Sequence, residues 1–189
     1  SWGCNSIYYA VKFVSKLRQL EEDLKSGCND DNFDPPHTTI NIGVIQGGVA
    51  HNIVPDYTKV VWNIRCLPNI DHKVILEDLF SNQLPKIEDQ MKKDHSNSYI
   101  LNSNLSNIHS LIPSETLNSI KLIKENSLSS MKGVSYGTDA GYFSNIGWPT
   151  IVCGPGNIAQ AHQSDEFIEI KDIRDGMVFI RDLIRDMCN

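Results

Sequence analysis

No apolar run in this 189-residue sequence approaches the roughly 20 residues that a bilayer-spanning helix needs, so no membrane partner is expected. Positive charge is in short supply. With 17 Lys and Arg against 23 Asp and Glu, the net charge of −6 removes the electrostatic footprint of a nucleic-acid or anionic-surface binder. The five cysteines (Cys4, Cys28, Cys66, Cys153, Cys188) contain no C-x-x-C pair. An odd, widely spaced set suits neither a disulfide framework nor a zinc knuckle, so a reducing, cytoplasmic location is expected. Internal repeats, low-complexity tracts and a charged-then-apolar signal segment are also lacking. Ser1 leads almost at once into a helical pattern, as expected of a chain cut from something longer.

What is present describes a folded chain. Hydrophobic residues make up 40% and charged residues 21%, over a length that accommodates one ordinary domain or two small ones. From an N-cap at Asn5 or Ser6, apolar residues recur at Ile7, Ala10, Val11, Val14, Leu17 and Leu20, the spacing of one buried helical face up to about Lys25. Glu21 and Glu22 fall on the polar side and read as a solvated pair. Alternation then predicts two strands. Thr38 to Val44 places Ile40, Ile42 and Val44 on one face, and Lys59 to Arg65 places Val60, Trp62 and Ile64 on one face. A second helical pattern opens at Asp71, is kinked or broken at Pro85 before Ile87 and Met91, and precedes a weak strand over Tyr99 to Asn102. This α-β-β-α-β order is an open-faced α+β sandwich lacking its first strand.

The rhythm changes further on. A helix is expected from Ser114-Glu115, a short strand at Gly133–Tyr136, a helix opening at Thr138, a strand at Thr150–Cys153, a glycine-rich loop, and a long helix from about Lys171 to Met187. Strands alternating with helices suggest a piece of an α/β sheet.

Three places carry candidate chemistry. His162 lies in a loop just beyond an apolar strand, where open α/β sheets place their sites. It is either a metal ligand oriented by a neighbour such as Asp165 or Glu166, or a loop histidine bonded to backbone. Gly137 and Thr138 open a helix whose free N–H groups could receive a carboxylate; alternatively, Thr138 is only an N-cap. Asn52 and Arg65, with His51, flank the two strands and could reach a ligand, although Arg65 may equally be an exposed cross-strand residue. His37, His72, His95 and His109 lack ligand spacing, and the cysteines read as packing residues.

Three stretches together resemble the di-zinc deacylase and metallopeptidase family that includes deacetylases, desuccinylases and aminoacylases of N-acyl amino acids. They are Pro35 to Gly48 running on to Asn52-Ile53-Val54-Pro55-Asp56 and Arg65; Tyr136-Gly137-Thr138-Asp139-Ala140-Gly141; and Gly154-Pro155-Gly156 with Gln160-Ala161-His162 and Asp165-Glu166. The resemblance implies a truncated open-faced α/β sandwich lid, or dimerisation, domain over residues 1–107. The C-terminal part of an aminopeptidase-like α/β catalytic domain would follow over 108–189. It further implies two zinc or cobalt ions in the complete enzyme, His162 as a metal ligand, Asn52 and Arg65 near the substrate or oxyanion, and Gly137 and Thr138 on the amino-acid carboxylate. His51 matches no family role.

The family's His-x-Asp motif, bridging aspartate and Glu-Glu pair have no counterpart in this chain, so no catalytic residue is assigned and the chain alone is expected to be inactive. The activity implied is removal of the acetyl group from a small N-acyl amino acid such as N-acetylornithine, a step of arginine biosynthesis. Desuccinylases of the family carry an arginine close behind the aspartate of the helix start, whereas Tyr142 stands there in this chain. A desuccinylase or another family aminoacylase or peptidase is the alternative, and a non-catalytic dimerisation module the alternative of another class. A homodimer through the lid is the expected assembly.

Overall fold

The structure, a computed structural model, describes residues 3–103, 108–111, 123, 133, 137–161 and 163–188. They form two compact units, the first taking the described residues up to 103 with Gly133, the second those from 108 on without it.

In the first unit, α1 (Ser6–Gly27) begins where Asn5, in extended backbone, turns its side-chain oxygen onto the N–H groups of Ile7 and Tyr8 at 3.1 and 3.4 Å. Two of the helix's orphan donors are thereby satisfied. Antiparallel β1 (Thr39–Gly47) and β2 (Thr58–Arg65) pair from Thr39 opposite Arg65 to Gly47 opposite Thr58. Fully buried Leu17 packs with Ile40 and Leu79, and Trp62, Ile64, Phe13 and Phe80 close around them. The Trp62 ring meets Phe13 and Phe80 edge-on, with centroids 6.0 and 6.5 Å away. A smaller cluster joins Tyr9 of α1 to Ile87 and Met91, and the Tyr9 hydroxyl donates to Asp94 at 2.6 Å. That hydrogen bond, helped by burial and the Asp94 charge, pushes the Tyr9 phenol up to about 12.

Val11, placed by its spacing on the buried face of α1, is 57% exposed, because the packed face runs through Tyr9, Leu17 and Glu21. Other sequence expectations of this unit are corrected too. Glu21 is not solvated. It is buried, its carboxylate accepting the Ile40 N–H at 3.2 Å and Arg18 at 2.6 Å, because it lies one helical turn from Leu17 on the packed face. Replacing Glu21 with alanine strands that backbone donor and is expected to cost about 1–3 kcal/mol. Glu21→Gln, which keeps an acceptor, should cost less. Urea midpoints of the two variants check this, and equal midpoints would contradict the role given to the carboxylate.

Val44 does not share a face with Ile40 and Ile42. The register slips at Gly43, so that Ile42 opposes Trp62 while Val44 opposes Val61. One extra residue reverses the alternation, which sends Val44 to the face opposite Trp62.

Of the kink or break expected at Pro85, the structure shows a local irregularity and not a break. Between α2 (His72–Asp78) and α3 (Leu84–Asp94) runs a π-helical turn, Leu79–Gln83, in which the Leu84 N–H reaches back five residues to the Leu79 carbonyl. Widening the turn just before the proline lets the helix continue without the bond that proline cannot make. Tyr99 to Asn102 forms no strand; instead the Ile100 N–H donates to Glu88 at 3.2 Å.

The second unit contains α4 (Ala140–Asn145), a 3₁₀ turn (Ile158–Gln160) and α5 (Ile170–Cys188). Its long final helix agrees with the sequence periodicity, but Thr150 to Cys153 is coil rather than strand. An apolar run becomes a strand only by pairing, and no partner strand meets this one among the described residues. Most of the expected helix from Ser114 and of Gly133–Tyr136 lies outside the described residues; Ile123 is helical and Gly133 is coil. Among the described residues no helix is long and apolar enough to cross a membrane.

Candidate functional site

The first candidate surface is the connecting end of the hairpin. Residues 48–57 join β1 to β2, starting with Gly48 at φ +77°, a backbone region that side chains disfavour. The C-terminal flank of the segment is tied to the start of α1. The Ser6 N–H, an orphan donor of the helix, bonds the Pro55 carbonyl at 3.0 Å, and the Ser6 and Thr58 hydroxyls lie 2.8 Å apart. Pro55 is buried, while His51, Asn52, Ile53 and Val54, which precede both ties, are exposed. Asn52 therefore stands at the tip.

Arg65 is exposed at the opposite end of β2, across from Thr39. At about 3.3 Å per residue, the seven steps of strand from Thr58 to Arg65 span roughly 23 Å, so Asn52 and Arg65 belong to different ends of the hairpin. Cys66, next to Arg65, has its thiol pushed up to about 11 by burial and by the Asp71 charge, against a Thr38 hydrogen bond that favours the thiolate. It stays protonated near neutral pH and is no nucleophile.

The second candidate surface belongs to the other unit. Gly137 is exposed and Thr138 half-buried. The Thr138 hydroxyl accepts the Ala140 N–H at 3.4 Å and its carbonyl accepts the Gly141 N–H at 3.2 Å, whereas Asp139 makes no side-chain cap bond. Its hydroxyl thus has the local capping role that sequence left open beside the carboxylate-binding one. Just behind it, the neutral ring of Tyr142 stands edge-on to His109 with centroids 5.1 Å apart.

In the glycine-rich segment, Gly156 takes φ +97° and the Asn157 side chain caps the 3₁₀ turn through the Ala159 N–H at 3.0 Å. Gly176 of α5 faces Pro155 so closely that an added Cβ would stand 3.1 Å from its ring. A cleft of about 220 Å³ opens here, lined among others by Asn157, Gln160, Glu169 and Asp172. His162 lies outside the described residues. Its candidate orienting neighbours Asp165 and Glu166 are both exposed.

Among the described residues no group of three or more His, Cys, Asp and Glu side chains converges to hold a metal ion. The described donors do not fit a di-metal centre by themselves. Sequence reasoning overlooked the Ser6–Thr58 pair, which joins residues 52 positions apart and so leaves no local signal.

Residues 2–83 match the family described as peptidase dimerisation domain, and residues 101–186 match peptidase family M20/M25/M40. The chain belongs to this M20 peptidase family, carrying its dimerisation domain followed by a peptidase portion. Among similar curated proteins, one named acetylornithine deacetylase from Photorhabdus laumondii is 30% identical over 190 residues, 98% of this chain and 47% of that protein. Another of that name, from Myxococcus xanthus, is 28% identical over 171 residues, covering 90% of this chain and 44% of the relative. A third, from Pasteurella multocida, is 27% identical over 192 residues, covering 100% of this chain and 48% of the relative. The chain spans about half the length of the curated relatives it matches.

Proposed function

We propose that the chain is the lid and the C-terminal catalytic portion of a metal-dependent, cytoplasmic amidohydrolase that removes the acetyl group from an N-acetyl amino acid, N-acetylornithine above all. Residues 1–107 form the lid, an open-faced sandwich, and 108–189 the catalytic portion. The observation that carries this reading is the colinear match of nearly the whole chain to proteins named acetylornithine deacetylase. Zinc or cobalt, two ions in the complete enzyme, is the cofactor of this reading, with His162 as one ligand. Within this chain, Gly137 and Thr138 bind the amino-acid carboxylate, and Asn52 and Arg65 approach the substrate from the lid. Because the hairpin holds these two apart, they serve different parts of the bound substrate or different copies of the site.

Tyr142 decides the acyl preference. An uncharged phenol cannot offer the bidentate pairing that an arginine gives a second carboxylate, so a succinyl tail is poorly matched. In the full-length protein, kcat/KM for N-acetylornithine should exceed that for N-succinyl-diaminopimelate by at least about tenfold, the worth of one lost charge-assisted bond. A preference for the succinyl substrate would refute the assignment.

The assembly proposed is a homodimer through the first unit. The hairpin has strand edges with hydrogen-bonding groups that another chain can pair, and a closed two-fold contact uses the same patch on both copies. Sedimentation velocity of the 189-residue chain at micromolar concentration should give the dimer mass. A clean monomer would count against the lid assignment as well as the dimer.

A further inference from the structure

We infer that Ser6 and Thr58 are positioning residues whose hydroxyl pair fixes segment 48–57 at the end of the hairpin and so sets where Asn52 meets an N-acyl amino acid. The inference deepens the proposed function and rests on its reading of Asn52 as facing substrate.

Three observations carry it. The segment's tip is exposed from Val49 to Val54, with the Ile53 N–H to Ala50 carbonyl bond, at 3.3 Å, inside it. A second hold comes from the start of α1, where the Ser6 backbone takes the Pro55 carbonyl and its hydroxyl meets that of Thr58 at 2.8 Å. Gly47 lets this clamp close, since a Cβ there would run into the Thr58 side chain, and Gly48 supplies the φ of +77° with which the segment begins. Since α1 is anchored in the core by Leu17, the clamp refers the tip to the rigid part of the unit. An exposed segment of this kind would otherwise sample many conformations, and ordering it in advance removes that entropic cost from ligand binding.

Amide exchange and N-acetylornithine titration, both followed by NMR on the 189-residue chain, test the inference. Ser6→Ala and Thr58→Val should each speed exchange at Ile53 about fivefold, the worth of one net hydrogen bond, while the core amides of Leu17 and Ile40 change less than about twofold. Ser6→Thr and Thr58→Ser restore a hydroxyl and should return Ile53 to the parent rate. With N-acetylornithine, the shift change at Asn52 should be smaller in Ser6→Ala than in the parent. Unchanged Ile53 exchange in both hydroxyl-deleted variants overturns the inference, as does acceleration that spreads equally to Leu17 and Ile40. Faster Ile53 exchange with Asn52 silent to N-acetylornithine even in the parent upholds the clamp and removes the substrate role of Asn52 instead.

Discussion

Leu17→Ala is expected to lower the unfolding free energy of the first unit by about 3–5 kcal/mol, as much as a small domain can lose and still fold. Leu17 is fully buried, and it touches both the hairpin, through Ile40, and the turn before α3, through Leu79. Removing its branched end opens a cavity that three elements border, and neither the helix nor the paired strands can collapse into it cheaply. Val11 on the same helix is 57% exposed and serves as the control, with an expected change within about 0.5 kcal/mol for Val11→Ala. Urea titrations followed by far-ultraviolet circular dichroism measure both. A loss below about 1 kcal/mol for Leu17→Ala would mean that the helix does not pack on the hairpin as described.

The 189-residue chain should hydrolyse N-acetylornithine at least about a thousandfold more slowly than the full-length protein, even with zinc or cobalt added. Catalytic zinc is ordinarily held by about three protein ligands with a further position left for water. Here the described residues bring no such set together, and no His-x-Asp motif stands anywhere in the sequence. A single histidine ligand would leave an ion without a fixed position. The measurement is release of free ornithine by chain purified from a host lacking the activity. Turnover near that of the intact protein would show that ligands within this chain have been overlooked.

Glu21 shows where reading a sequence reaches its end in the lid. By residue type it belongs to solvent, and it is buried only because β1 arrives to be capped by it. The hairpin tip is similar. Asn52 was legible as a candidate through the resemblance, but its placement far from Arg65 required the strand register.

What the sequence by itself determined was whatever depends on near neighbours. The Asn5 cap, the extent of α1, the strand character of β1 and β2 and the long α5 all follow from local caps and periods of 3.6 and 2, which are set by backbone geometry within each segment. Tertiary structure decided the rest. The bulge at Gly43 turns Val44 away from the core, and a π turn carries the helix past Pro85. The runs at Tyr99 and Thr150 stay coil, and Ser6 meets Thr58 across 52 residues. Apart from the π turn, which a bond five residues back makes locally, these outcomes turn on whether a partner distant in sequence is at hand, because a backbone donor, a strand edge or a buried charge takes the state that its nearest available partner in space can satisfy.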